Sequence, residues 1–316
     1  MMVKIEDMSK RRKFYRGVVN HVYQRAIDGF QLFYTREDCL VFFTIFSVCA
    51  EIAGIQVLEL CLMHNHIHLL LKTETIQELS AFMDHFTSWF VREYNMYVGR
   101  KGKLLKKNFG SAPKWDDKKL RSSIIYVGNN PVEKCFCRRA SEYRWNFLAY
   151  RDTPNPFSQP LLRRNASSSM RKALQEIDAM VSLNLPLKYV QLNRFFEKLN
   201  DYESEQLIDY IISSYLPFDY DELESRFNSF DSMLHAMEST TGSEYDINES
   251  RDNFSIKVFE EILSYMETKM PRNRVRAITT YTIDEKIALC KEIQSHTSAS
   301  IQQICSFMHL KTTPFH

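Results

Sequence analysis

No stretch of the 316-residue chain approaches the ~20 consecutive apolar residues needed to cross a bilayer. The opening residues, MMVKIEDMSKRRKFYRG, lack the apolar core of a secretion signal. Both absences argue against a membrane protein and lead to the expectation of a cytoplasmic one. Cysteine is sparse and irregular: Cys39, Cys49, Cys61, Cys135, Cys137, Cys290 and Cys305 are odd in number and sit mostly in apolar stretches. Cys135 and Cys137 form a C-x-C, but no second pair stands at zinc-ribbon spacing. Reduced, structural thiols are expected. No internal repeat is evident either.

What is present is ordinary globular composition, 44% hydrophobic and 25% charged, with room for two domains and a small third. The net charge of +2 hides a pattern. Residues 1–150 carry 23 Lys/Arg against 15 Asp/Glu, residues 151–270 carry 12 against 21, and residues 271–316 carry 6 against 3. A basic first domain suits a polyanionic partner, whereas the acidic middle argues against binding along the whole chain.

The first 150 residues alternate strand and helix signals. Residues 18–24 (VVNHVYQ) read as a strand, Thr35 caps a helix over 36–53, and Gly54 closes it. Residues 55–62 and 66–72 read as two strands joined by a short turn at Met63-His64-Asn65. Thr75 and Glu78 form a capping box for a second long helix ending near Tyr97, with Gly99 just past it. The order β-α-β-β-α needs one more strand to complete a ferredoxin-like sheet, and residues 99–114 would supply it together with a basic hairpin. Asp116 or Asp117 then caps a third helix, which Pro131 should stop after Asn130. The expected class is therefore α+β: an antiparallel ferredoxin-like sheet with helices on one face, followed by an all-α C-terminal region.

The organisation expected beyond it has three parts. Residues 151–169, with three prolines and a Ser/Asn run, read as a linker; 170–270 as an acidic helical region with a loop at 239–252; and 271–316 as two short helices resembling the start of a helix-turn-helix. In that last module a recognition helix should begin near Thr312, where Pro314 intervenes, so it looks truncated.

The strongest local signal is HNHIHLLL at 64–71. Alternate residues on a strand face one side, so His66 and His68 project together and could chelate a divalent ion, while Ile67, Leu69 and Leu71 pack beneath helices. Taken alone, an H-x-H pair is more often structural than a ligand pair. The third helix adds Tyr126 and Asn130 at i, i+4, a phenol and an amide on one face. Each of these, taken singly, is as readily a core tyrosine or a helix-end residue.

The combination resembles the HUH-type single-tyrosine transposases, particularly the REP-associated tyrosine transposases. The resemblance spans the first ~150 residues and rests on three motifs in order: Asn65, His66, Ile67, His68, Leu69, Leu70, Leu71; then Gly102, Leu104, Phe109, Ser111; then Tyr126, Asn130, Pro131, Val132. It implies the HUH nuclease fold. It also implies Mg²⁺ or Mn²⁺ held by His66, His68 and Asn130, with Tyr126 attacking a phosphodiester of single-stranded or hairpin DNA through a 5′-phosphotyrosine intermediate. The family often has proline where this chain has His64, which reads either as a turn residue or as an additional ligand or phosphate contact. No nucleotide cofactor is needed, because the covalent intermediate conserves the bond energy. Such a protein would associate with the nucleoid when bound to DNA, and a homodimer is compatible with the reading.

Two basic clusters with aromatic neighbours suit single-stranded DNA. Lys10, Arg11, Arg12, Lys13 and Arg16 adjoin Phe14 and Tyr15; Lys101, Lys103, Lys106, Lys107 and Lys114 lie beside Phe109 and Trp115. Two other readings stand beside the nuclease: a non-cutting, DNA-binding descendant that keeps the fold for regulation, and a ferredoxin-like RNA-binding module. The second would need an aromatic-rich strand where this chain carries histidines.

Overall fold

The computed structural model describes residues 14–239 and 256–311. Arg11 and Arg12, the expected loop at 239–252 beyond its first residue, and the position near Thr312 lie outside the described residues. The first domain runs β1 (Val19–Arg25), α1 (Arg36–Ala53), β2 (Gln56–Met63), β3 (His66–Lys72), α2 (Ile76–Val98), β4 (Gly110–Pro113) and α3 (Asp117–Glu133). The sheet order is β2-β3-β1-β4, and every neighbouring pair is antiparallel. That is the ferredoxin-like arrangement. Residues 100–109 form an irregular stretch rather than a hairpin and deliver only the four residues of β4.

Local chemistry accounts for the boundaries. Thr35 and Asp38 form a reciprocal box at the start of α1, and Gly54 ends it in the left-handed region at φ 62°. Thr75 accepts from the Glu78 amide at the start of α2, and Gly99 closes that helix at φ 71°. The third helix departs from expectation. Asp116 caps it, but Pro131 does not stop it, and the helix runs to Glu133. Proline lacks one donor, yet the final turn is held by Lys134 N–H to Asn130 O, Cys135 N–H to Val132 O and Phe136 N–H to Pro131 O. Those bonds past the ring offset the one that proline forfeits.

The two faces of the sheet are covered differently. Val22, Leu60, Leu62, Ile67, Leu69 and Leu71 join α1 and α2 in one large apolar core. On the other face Leu58, Cys61, Met63 and Leu70 pack against Leu120, Ile124, Tyr126 and Val127 of α3. Five helices complete this part of the chain: α4 (Ser168–Ser182), α5 (Tyr189–Phe196), α6 (Asp201–Ser214), α7 (Tyr220–Glu224) and α8 (Phe230–Ser239). Helices α4 to α6 share the first core, so α1 is buried between the sheet and these helices. Burial on all sides is why residues 40–50 of α1 are almost wholly apolar. Helix α8 packs on α3, where a Cβ added at Gly128 would lie 2.4 Å from Met237 Cε and 2.8 Å from Glu59 Oε1. A larger residue there would oblige those two side-chain ends to shift.

The C-terminal segment holds α9 (Ile256–Glu267), a 3₁₀ stretch (Arg272–Thr280), α10 (Ile283–His296) and α11 (Ile301–Met308), with its own core. It docks on the loop before α1. Tyr34 Oη donates to Phe307 O at 2.6 Å, and Arg276, 1% exposed as a side chain, reaches Asp38 at 3.3 Å. Asp38 also accepts from Tyr189 Oη at 2.8 Å, so one carboxylate ties three parts of the chain together. Among the described residues no helix is long and apolar enough to cross a membrane, and none of the seven cysteines is in a disulfide, five of them being buried.

Candidate active site

Strand parity carries His66 and His68 to the α3 face of the sheet, while Ile67 and Leu69 point into the opposite core. The two imidazoles stand with ring centroids 4.9 Å apart and planes at 88°. Helix α3 crosses this face and brings Tyr126 beside them, its ring 5.4 Å from His68 and perpendicular to it. Asn130 follows one helical turn later, buried. The tyrosine, the two histidines and the asparagine thus share one face of the sheet.

His21 belongs to the same cluster, though nothing in the β1 sequence singles it out. Its ring stacks on His68 at 5.2 Å and lies 5.7 Å from Tyr126. His21 Nε2 and His68 Nδ1 share a hydrogen bond of 3.0 Å. The signal that finds His21 is tertiary, since β1 pairs with β3 only in the folded sheet. His64 occupies the tight turn between β2 and β3, its ring 6.3 Å from that of His66.

Each imidazole is oriented by a neighbour. Asn65 Nδ2 donates to Gly29 O at 3.2 Å, which fixes the amide so that Asn65 Oδ1 accepts from His66 Nδ1 at 2.7 Å. His66 Nε2 is then a bare lone pair, buried and without a hydrogen-bond partner. This is the tautomer a metal ligand needs, held by an outer-shell amide. Asn130 Oδ1 is likewise buried and unpartnered. An orphaned buried polar atom costs about 1–3 kcal/mol, so two on one face call for a ligand. By donor chemistry alone, imidazole nitrogens and an amide oxygen are types of atom that a divalent cation accepts. Among the described residues no group of three or more His, Cys, Asp or Glu is arranged to hold a metal ion.

The electrostatics favour an anion at this face. Burial holds the imidazoles neutral: His68 is pushed down to about 3 by desolvation, then by the nearby charges of Arg25 and Lys134. His66 lies well below its usual range through burial, then through His68, His64 and the same two cations. Neutral imidazoles keep a lone pair free for a ligand, and the flanking cations suit a phosphodiester. Glu59 is a second residue that sequence reading passes over. It lies beneath Gly128 of α3, 1% exposed, with neither carboxylate oxygen partnered, and burial pushes its pKa well above the usual range.

The basic residues are not one patch. Lys106 and Lys107 are exposed beside the Arg25 end of β1, where Lys106 N–H bonds Arg25 O at 2.9 Å. Lys101 and Lys103 are exposed just past α2. Lys114 is partly buried at the opposite end, its N–H donating to Val19 O at 2.8 Å. Arg16 is exposed and pairs with Glu74 at 2.7 Å.

Residues 29–123 match the family described as "Transposase IS200 like". The matched segment includes His66 and His68 and stops three residues short of Tyr126. A solved structure, "Structure of the REP associates tyrosine transposase bound to a REP hairpin", is 16% identical, with a TM-score of 0.37, covering 44% of this chain and 81% of that one. No curated protein matches the chain.

Proposed function

From the match of residues 29–123 to the IS200-like transposase model we propose that the chain cuts and rejoins single-stranded DNA through Tyr126. The observation that carries this reading is the meeting of Tyr126, one helical turn from Asn130, with an imidazole pair that includes the unpartnered Nε2 of His66. Residues 1–150 would be the catalytic unit, with the helices beyond it bracing α1 as a scaffold. Such a protein would work in the cytoplasm, on chromosomal DNA.

His66, His68 and Asn130 would hold Mg²⁺ or Mn²⁺, which supplies polarisation of the phosphate oxygens and neutralises charge that builds in the transition state. His21 and Asn65 orient the two imidazoles. Tyr126 supplies the nucleophile. A phenol of pKa ~10 is mostly protonated at neutral pH, so its attack gains from any nearby positive charge. The phenolic oxygen bonds to phosphorus as its proton departs, the bond from phosphorus to the 3′ oxygen breaks, and that oxygen leaves as a 3′-OH. A 3′-OH attacking the phosphotyrosine reverses the sequence and restores Tyr126.

Incubation with labelled, hairpin-bearing single-stranded DNA and Mn²⁺ tests this directly. A covalent protein–DNA adduct is expected on denaturing gels, and Tyr126→Phe should abolish it without lowering DNA affinity. Tight binding by the wild-type protein with no adduct would overturn cutting and leave a DNA-binding regulator.

A further inference from the structure

Tyr15 and Trp115 come from opposite ends of the first domain's chain, one just before β1 and the other just after β4. Antiparallel pairing of β1 with β4 sets Asn20 against Pro113, and the Lys114 N–H bond to Val19 O continues the ladder by one step. Both aromatic residues are thereby delivered to one end of the sheet edge. Their rings meet edge to face, with centroids 6.1 Å apart and planes at 68°. The Lys119 ammonium lies 3.3 Å over the indole.

Despite these contacts Tyr15 is 48% exposed and Trp115 55%. Of the three exposed large aromatic residues among the described residues, two touch each other here. Burying such rings in the adjacent core would gain roughly 25 cal/mol per Å², so their exposure calls for a ligand with a flat apolar face. The surrounding charge narrows that ligand further. Arg16 and Lys114 adjoin the pair in sequence and Lys119 lies over the indole, while Glu74 is engaged by Arg16 and Asp116 by the α3 amide and the Lys119 ammonium. Flat rings bordered by cations are what a strand of unpaired bases and phosphates needs.

The seat is also registered to the nucleophile. Lys119 and Tyr126 stand at i, i+7 on α3, two turns apart on one side of the helix, or about 10 Å along its axis. At roughly 3.4 Å per stacked nucleotide, that distance is about three nucleotides. We propose that Tyr15 and Trp115 form a stacking seat for an unpaired DNA base, with Arg16, Lys114 and Lys119 on the flanking phosphates, and that this seat sets which phosphate reaches Tyr126. The proposal rests on the reading of Tyr126 as a DNA-cutting residue, since it assigns the positioning of the strand at that site.

The test separates the two ideas by using Tyr126→Phe protein, in which binding is read without cutting. Affinity for a labelled single-stranded oligonucleotide is measured by fluorescence anisotropy at several salt concentrations. Trp115→Ala and Tyr15→Ala should each weaken binding about fivefold to a hundredfold, with the slope of log K against log salt unchanged. Trp115→Phe, which keeps a ring, should restore most of the loss. Lys119→Ala should instead lower the slope by about one. Unchanged affinity in both aromatic variants would overturn the seat, as would equal losses on a blunt duplex of the same sequence. Neither result would touch the adduct formed by Tyr126, which is scored separately in the wild-type background.

Discussion

The two faces of one β-sheet contrast sharply. Towards α1 and α2, β3 presents Ile67, Leu69 and Leu71 to a core of aliphatic and aromatic side chains. Towards α3 the same strand presents His66 and His68, joined by His21 from β1 and Glu59 from β2, all of them buried. One face maximises apolar contact. The other buries polar atoms that stability alone would not place there, including the unpartnered His66 Nε2, Asn130 Oδ1 and both Glu59 oxygens. Native folds tolerate such atoms chiefly where a ligand or a reaction uses them.

That contrast breaks most visibly under paired substitutions along β3. Leu69→Ala should cost about 2–5 kcal/mol in denaturant unfolding, because it opens a cavity in a close-packed core. His66→Leu should cost less, about 1–3 kcal/mol, because it leaves no cavity and removes an orphaned nitrogen but strips Asn65 Oδ1 of its donor. Similar losses from the two would mean that the histidine face is structural after all.

A smaller effect sharpens the comparison from the ligand side. Mn²⁺ at about a hundred times its Kd should add ~2.7 kcal/mol, read as a rise in Tm that EDTA reverses. The rise should vanish in His66→Leu and survive in Leu69→Ala. A rise retained without His66 would place the cation elsewhere.

The smallest expected effect concerns pH. Burial raises the Glu59 pKa, so the folded state keeps its proton while the unfolded chain releases it from about pH 4.3 upward. Stability on this account falls as pH rises. Glu59→Gln should therefore lessen the loss of stability between about pH 5 and pH 8. The buried histidines act in the opposite direction. With pKa values near 3 in the fold, His64 and His68 withdraw stability as pH drops below ~6.5. Superimposable profiles for wild type and Glu59→Gln would show that the carboxyl finds a partner.

Much of the first domain was legible before folding because its signals are short-range. The caps at Thr35, Gly54, Thr75 and Gly99 satisfy amides and carbonyls within a few residues, and each stands at a helix boundary. Pro131 misled for the converse reason: its local penalty is real, but bonds formed beyond the ring carry α3 to Glu133. The grouping of Lys101, Lys103, Lys106, Lys107 and Lys114 also fails as a guide to shape. β4 separates the first four from Lys114, placing Lys106 and Lys114 at opposite ends of β1.

By itself, the sequence determined the element order, the caps and the parity that puts His66 and His68 on one side of a strand, all consequences of backbone geometry over a few residues. Only the tertiary structure decided which helix covers that side, that His21 stacks on His68, that Glu59 lies without a partner beneath Gly128, and that Tyr15 meets Trp115. Those pairings join residues 47 to 100 positions apart. They depend on strand order and helix packing, which no local propensity encodes.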